Sequence, residues 1–220
     1  MREIIRLEPV FKQMVWGGSG SKDHFGLKIP GEDTGEAWVV SAHPQGDCSV
    51  AEGRFAKKTL SRLWKEHREL FGDAEGEEFP LLVKFIDAKE DLSIQVHPDD
   101  AYAKVHENGA RGNPRDLHLA QAMDVIGCPY TEDVDRRETF HEEGYDRTFL
   151  VSCPFYTVEK YDIQDTLSLE QDQPFLLLCV IEGEGTIDKE AVKMGDCMLL
   201  PAGYGVAQIQ GALRIVTVHI

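Results

Sequence analysis

The chain has no CxxC pair. Its five cysteines, Cys48, Cys128, Cys153, Cys179 and Cys197, are odd in number and scattered. That spacing excludes a cysteine zinc knuckle, argues against a disulfide framework and fits a reducing cytoplasm. No apolar run approaches a membrane span, and the first residues lack the apolar core of a signal peptide. Positive charge is scarce too: 23 Lys and Arg stand against 39 Asp and Glu, a formal net charge of −16. Such a field argues against nucleic acid or an anionic membrane as partner. It also requires that any phosphate-bearing ligand be held in a local basic pocket.

What is present describes a globular chain. With 220 residues, 42% hydrophobic and 28% charged, it is long enough to bury a real core as one domain or two small ones. Short strands broken by Gly and Pro are expected at Ile4 to Leu7, Ala37 to Ser41 and Ser49 to Ala51. Leu60, Leu63, Trp64, His67 and Leu70 recur at helical spacing, predicting a helix over 59–71 with Thr59 or Ser61 as its cap. Strands are expected again at Leu81 to Ile86 and Leu92 to Val96. A second helix is expected over 116–126, stopped by Gly127. From Thr148 the pattern becomes all-β, with runs at Phe149 to Ser152, Phe155 to Asp162, Phe175 to Ile181, Cys197 to Leu200 and Leu213 to His219. Glu182-Gly183-Glu184-Gly185 and Gly195-Asp196 are the turn signals between them.

The stretch Ser93-Ile94-Gln95-Val96-His97-Pro98-Asp99-Asp100 carries the strongest chemical signal. In a strand, Leu92, Ile94 and Val96 point one way while Ser93, Gln95 and His97 point the other. A face offering a hydroxyl, an amide and an imidazole suits the lining of a cavity. The same alternation also describes a half-buried strand with a polar outer face.

The run from Pro80 to Asp100 resembles the type I mannose-6-phosphate isomerases of the short bacterial form. The resemblance continues, in order, through Pro9-Val10-Phe11-Lys12, Trp16-Gly17-Gly18, Thr34-Gly35-Glu36-Ala37-Trp38 with Ser41-Ala42-His43-Pro44, and Thr59-Leu60 through Leu63-Trp64-Lys65-Glu66-His67-Arg68. It implies a mainly β fold of cupin-type (jelly-roll) barrel lobes with a few helices, the N-terminal catalytic barrel being incomplete. It further implies a partial catalytic lobe over 1–110 and a helical connector over 111–147. A C-terminal cupin-like barrel over 148–220 follows, without metal because Val206 stands where metal-binding cupins place a histidine. The activity implied is interconversion of mannose 6-phosphate and fructose 6-phosphate, with zinc as cofactor and a sugar phosphate as the small-molecule partner. Gln95 and His97 match metal ligands, Lys84 a catalytic pocket lysine, and Trp16, Glu36 and Ser93 residues lining the substrate pocket.

Between Ala103 and Gly112 the resemblance jumps. Upstream it matches the zinc strand; from Asn113 it matches a helix that lies far downstream in the family. The stretch that should lie between carries a glutamate and a second histidine ligand and an active-site arginine. Zinc favours four ligands, or three and a water, so Gln95 and His97 alone predict weak zinc binding. His106, Glu107, His118, His141, Glu142 and Glu143 are available in sequence, but they read rather as a solvated loop, a structural helix-start histidine and an acidic surface run, and His141-Glu142-Glu143 lacks the HExxH spacing. Two functions follow as expectations: a zinc-assisted aldose–ketose isomerase, or an inactive, internally deleted homologue, either a sugar-phosphate-binding or a decayed cupin protein. The sequence leaves the oligomeric state open.

Overall fold

The structure, a computed structural model, describes residues 2–92, 119–126 and 137–220. The chain divides into two units, Met1–Glu90 with Arg137–Ile220, and Asp91–Arg136. Ser93, Gln95, His97, His106, Glu107, His118, Gly127 and the 103–112 junction lie outside the described residues.

The first unit begins with β1 (Ile5–Glu8), β2 (Val10–Gly18), α1 (Gly20–Phe25), β3 (Thr34–Val40), β4 (Ala42–His43), β5 (Gly46–Asp47), β6 (Ser49–Val50), α2 (Leu60–Glu66) and β7 (Val83–Ile86). The second unit contributes α3 (Leu119–Val125). The first unit resumes with β8 (Glu138–Glu142), β9 (Tyr145–Ser152), β10 (Thr157–Ile163), β11 (Thr166–Gln171), β12 (Leu176–Ile187), β13 (Glu190–Lys193), β14 (Cys197–Leu200) and β15 (Gly205–His219). A ten-stranded sheet runs β6-β1-β14-β12-β15-β10-β9-β8, with β11 on β15 and β13 on β12. The β2-β3-β7 order makes a separate three-stranded sheet. The first strand of the chain thus pairs with β14, Ile5 opposite Leu199, so the C-terminal sheet is completed by the N-terminus. It also extends back to Glu138, ahead of the expected start at Thr148. Every residue of β8 is exposed, so no apolar alternation marked it as a strand.

The apolar run Phe175 to Val180 explains the packing. A strand covered on both faces reads as continuous hydrophobicity rather than alternation. Leu176, Leu178 and Val180 join one core with Tyr161, Met198, Leu200, Ile209 and Ile215. Leu177 and Cys179 join the other with Cys197, Leu199, Val39 and the helical residues Leu60, Leu63 and Trp64. One face of the large sheet therefore closes on its own strands. The other receives the three-stranded sheet and α2.

Two local expectations needed correction. Glu182-Gly183-Glu184-Gly185 is not a turn: β12 runs through it to Ile187, and the reversal comes at Asp188-Lys189, both at positive φ. The glycines are there for close approach. A Cβ at Gly183 or Gly185 would collide with the carbonyl oxygens of Ala212 or Gln210 on β15. The helix over 59–71 is broken: α2 ends at His67 (φ −136°, ψ 56°), and a 3₁₀ turn, Arg68–Phe71, completes it. Thr59 is its cap, accepting from Arg62 N at 3.4 Å.

Candidate functional site

The three-stranded sheet sorts its residues by pleat. Phe11, Ala37 and Phe85 are register partners and pack on the core. Lys12 lies opposite Glu36, and Trp38 opposite Lys84, so these four share the other face. There Lys84 Nζ donates to Glu36 Oε1 at 2.7 Å, and Trp38 Nε1 donates to Glu36 Oε2 at 2.7 Å. Lys12 Nζ stands 4.6 Å from the centre of the Trp38 ring, a cation–π contact, and donates to the Gln45 carbonyl. The His43 ring meets the Trp38 indole edge-on at 5.6 Å, and His43 Nδ1 accepts from Gln45 N. His43 is thereby held as a turn-forming side chain.

Glu36 is the buried member of the group, its side chain 8% exposed against 36% for Lys84. Burial alone would raise its pKa. The hydrogen bonds from Lys84 and Trp38, and the charges of Lys84 and Lys12, outweigh burial and hold the carboxyl below its ordinary value. An ionised carboxylate with both oxygens engaged is an anchor rather than a ready base. It fixes Lys84, whose ammonium has three donors, one of them engaged by Glu36 among the described residues.

Trp16 packs against the same strand at Gly35. Its ring rests against Gly35, the residue before Glu36, where a Cβ would lie 2.7 Å from Trp16 Cζ3. The Trp16 carbonyl accepts from Lys89 N and Glu90 N. Gly17 permits the crossing, since a Cβ there would lie 2.5 Å from the Asp33 carbonyl oxygen and closer still to Gly35 N. The structure therefore brings Lys84 and Glu36 into contact and places Trp16 against Gly35 of the same strand, while Ser93, Gln95 and His97 lie outside the described residues. Among the described residues, no group of three His, Cys, Asp or Glu side chains could hold a metal ion. His141 is paired with Asp146 at 2.8 Å on the β8–β9 hairpin. Trp38 and Lys12 belong to the group but carried no assigned role in the sequence reading. The i, i+2 spacing of Glu36 and Trp38 in a strand was the signal that could have found Trp38.

Lys84→Met should cost about 2 kcal/mol at neutral pH, because it leaves a buried carboxylate with one donor; the half-exposed lysine end keeps the loss below that of a fully buried pair. The folded-state pKa of Glu36 is depressed, so its stabilisation is present above the unfolded pKa and fades as pH falls through the folded one. Urea denaturation of both proteins should show the gap at pH 7 and a much smaller one once Glu36 is protonated. An equal gap at both pH values would mean that Lys84 acts through packing alone.

Comparison with known proteins supplies the family. The model of the phosphomannose isomerase type I catalytic domain matches residues 4–123, and that of the mannose-6-phosphate isomerase cupin domain matches residues 145–220. A mannose-6-phosphate isomerase of Bacillus subtilis is 32% identical over 316 aligned positions, spanning 99% of each chain. One from Streptococcus mutans is 29% identical over 315 positions, spanning 100% of this chain and 99% of its own. The crystal structure of a Bacillus subtilis mannose 6-phosphate isomerase superposes with a TM-score of 0.90 at 30% identity, covering 100% of both chains. A Salmonella typhimurium mannose 6-phosphate isomerase, solved with fructose 6-phosphate and zinc, shares the fold at 13% identity and a TM-score of 0.70. The fold and the two matched domains define a cupin-containing isomerase. The chain belongs to the type I phosphomannose isomerases. It is also short for the family: 316 aligned positions face only 220 residues here. Because the alignment reaches almost to both ends of both chains, the missing stretch is internal.

Proposed function

We propose that this chain retains the lysine–carboxylate part of a site for interconverting mannose 6-phosphate and fructose 6-phosphate, and that the internal gap has removed most of its metal-binding part. The observation that carries the reading is the Lys84–Glu36–Trp38 triad on a segment matched by the catalytic-domain model. Lys84, fixed by Glu36, presents its remaining N–H donors to a sugar or phosphate oxygen. Trp38 holds the second carboxylate oxygen, so that Glu36 cannot turn away from Lys84. Lys12, 4.6 Å from the Trp38 ring centre, adds positive charge against the acidic field of the whole chain.

Zinc is the metal of the reading, after the Salmonella typhimurium relative that holds it. The donor set does not suffice for it. Gln95 offers a neutral amide oxygen and His97 one nitrogen, where zinc favours at least three protein ligands. No step is therefore routed through the metal. Equilibrium dialysis against zinc should show binding far weaker than stoichiometric, and weaker again in His97→Ala. Stoichiometric zinc that survives a chelator would refute the incomplete centre, with His106 and Glu107 the first ligands to examine. Calorimetric titration with fructose 6-phosphate tests the retained part: weak binding that is lost in Lys84→Met supports it, and binding indifferent to that change overturns it.

A further inference from the structure

Three of the cysteines share one core. Cys48, Cys179 and Cys197 are all buried in the cluster between the large sheet and the three-stranded sheet. Cys48 is engaged, its thiol donating to the Trp38 carbonyl at 3.2 Å. The other two are direct cross-strand neighbours, Cys179 of β12 opposite Cys197 of β14. Val180 N donates to the Asp196 carbonyl at 2.9 Å, which flanks the pair and makes it a non-hydrogen-bonded one. Residues so placed have Cα atoms about 4.5 Å apart and side chains close together, within the 4.4–6.8 Å range that a disulfide spans.

We propose that Cys179 and Cys197 are a latent disulfide site, closed by a small peroxide, that staples β14 to β12. With hydrogen peroxide, one thiol gives up its proton, and the thiolate attacks a peroxide oxygen, breaking the O–O bond; it becomes a sulfenic acid, and the hydroxide that leaves takes up that proton as the first water. The second thiol likewise ionises and its thiolate attacks that sulfur; the S–S bond forms as the S–O bond breaks, and the departing hydroxide takes the released proton as the second water. Two thiols are oxidised and one peroxide is reduced to two waters. Access comes through the end of the ladder. Cys179–Cys197 is its last pair, and the next residues, Met194 to Asp196, form a partly exposed turn. Burial raises the Cys197 thiol well above its ordinary pKa, with Cys179, Asp196 and Cys48 adding to the effect. The native pair is consequently slow, since the thiolate is the reacting form, and closure should speed up as pH rises.

The test is peptide mapping of the reduced full-length protein after exposure to hydrogen peroxide without denaturant, with free thiols alkylated before digestion. The expected product is a single Cys179–Cys197 cross-link, formed faster at pH 9 than at pH 7. It should raise the melting temperature by several degrees, reversibly with dithiothreitol. Cys48→Ser should still form the link and Cys179→Ala should not. A link from Cys197 to Cys48, a link that appears only in urea, or both thiols still alkylatable after Cys153 has oxidised would each overturn the proposal. The wild-type map decides even if a variant fails to fold.

Discussion

In a coupled assay with mannose 6-phosphate and saturating zinc, this chain should form fructose 6-phosphate at a rate near background, and His97→Ala should not lower it further. Aldose–ketose isomerisation needs a proton moved between adjacent carbons, stabilisation of the oxyanion that develops, and cations to hold the phosphate. In the proposed reading the Lys84–Glu36 pair would serve only part of the last. The resemblance places a glutamate ligand, a histidine ligand and an active-site arginine in the stretch that has no counterpart here, and the long internal gap in the Bacillus subtilis alignment agrees in scale with that loss. Removing one electrostatic contact to a developing charge typically costs a factor of about 10²–10³ in rate. Such losses do not multiply within one catalytic unit, yet removing one member of a unit can cost nearly as much as removing all. Turnover well above background that disappears in His97→Ala would show that the shortened site still assembles, and would replace the incomplete-site reading with a working isomerase. The titration with fructose 6-phosphate separates the cases: binding without turnover leaves a sugar-phosphate-binding remnant, whereas neither binding nor turnover leaves an isomerase by descent alone.

How far the sequence could be read follows from what each segment packs against. The run through Leu176, Leu177 and Leu178 was legible because both of its faces are buried, and apolar continuity survives any error in register. The α2 segment was legible because Leu60, Leu63 and Trp64 keep helical spacing and Thr59 caps it. By contrast, β2 went unseen as a strand. Its register slips at Lys12/Gln13 and again before Gly18, and apolar Val15 stands on the exposed side, so its apolar residues do not alternate. Gly183 and Gly185 misled for a physical reason: glycine serves close strand approach as well as reversal, and local sequence does not separate the two uses. In the site, Lys84 and Glu36 came from family resemblance, since an ion pair 48 positions apart leaves no local trace. Trp38 was within reach of the alternation rule. Its role depended on knowing that Glu36 was the residue to be held.

The largest stability loss should come from Trp64→Ala. Trp64 lies on α2, fully buried, with Phe71 at 5.0 Å, Phe79 at 5.4 Å and Phe175 at 6.4 Å between ring centres, each approached edge-on. The Arg68 guanidinium covers the indole at 4.2 Å. Those rings come from the helix, the 3₁₀ turn, the loop before β7 and the entry to β12. Trp64 is therefore the point where the N-terminal segment is keyed to the C-terminal sheet. Deleting the indole removes the transfer energy of a large aromatic and leaves a cavity that four fixed elements cannot collapse into, a loss of about 4 kcal/mol. For a chain of this size that corresponds to a drop of roughly 10 °C in melting temperature. Trp64→Phe should cost much less. A ring still fills most of the space, and the indole N–H, which has no acceptor among the described residues, goes with the substitution and relieves an unmet hydrogen bond. Thermal denaturation of the two variants is decisive through their difference. Equal losses would show that the cost does not come from the cavity, and a small loss in Trp64→Ala would mean that the four aromatic-bearing elements are not held together through this residue.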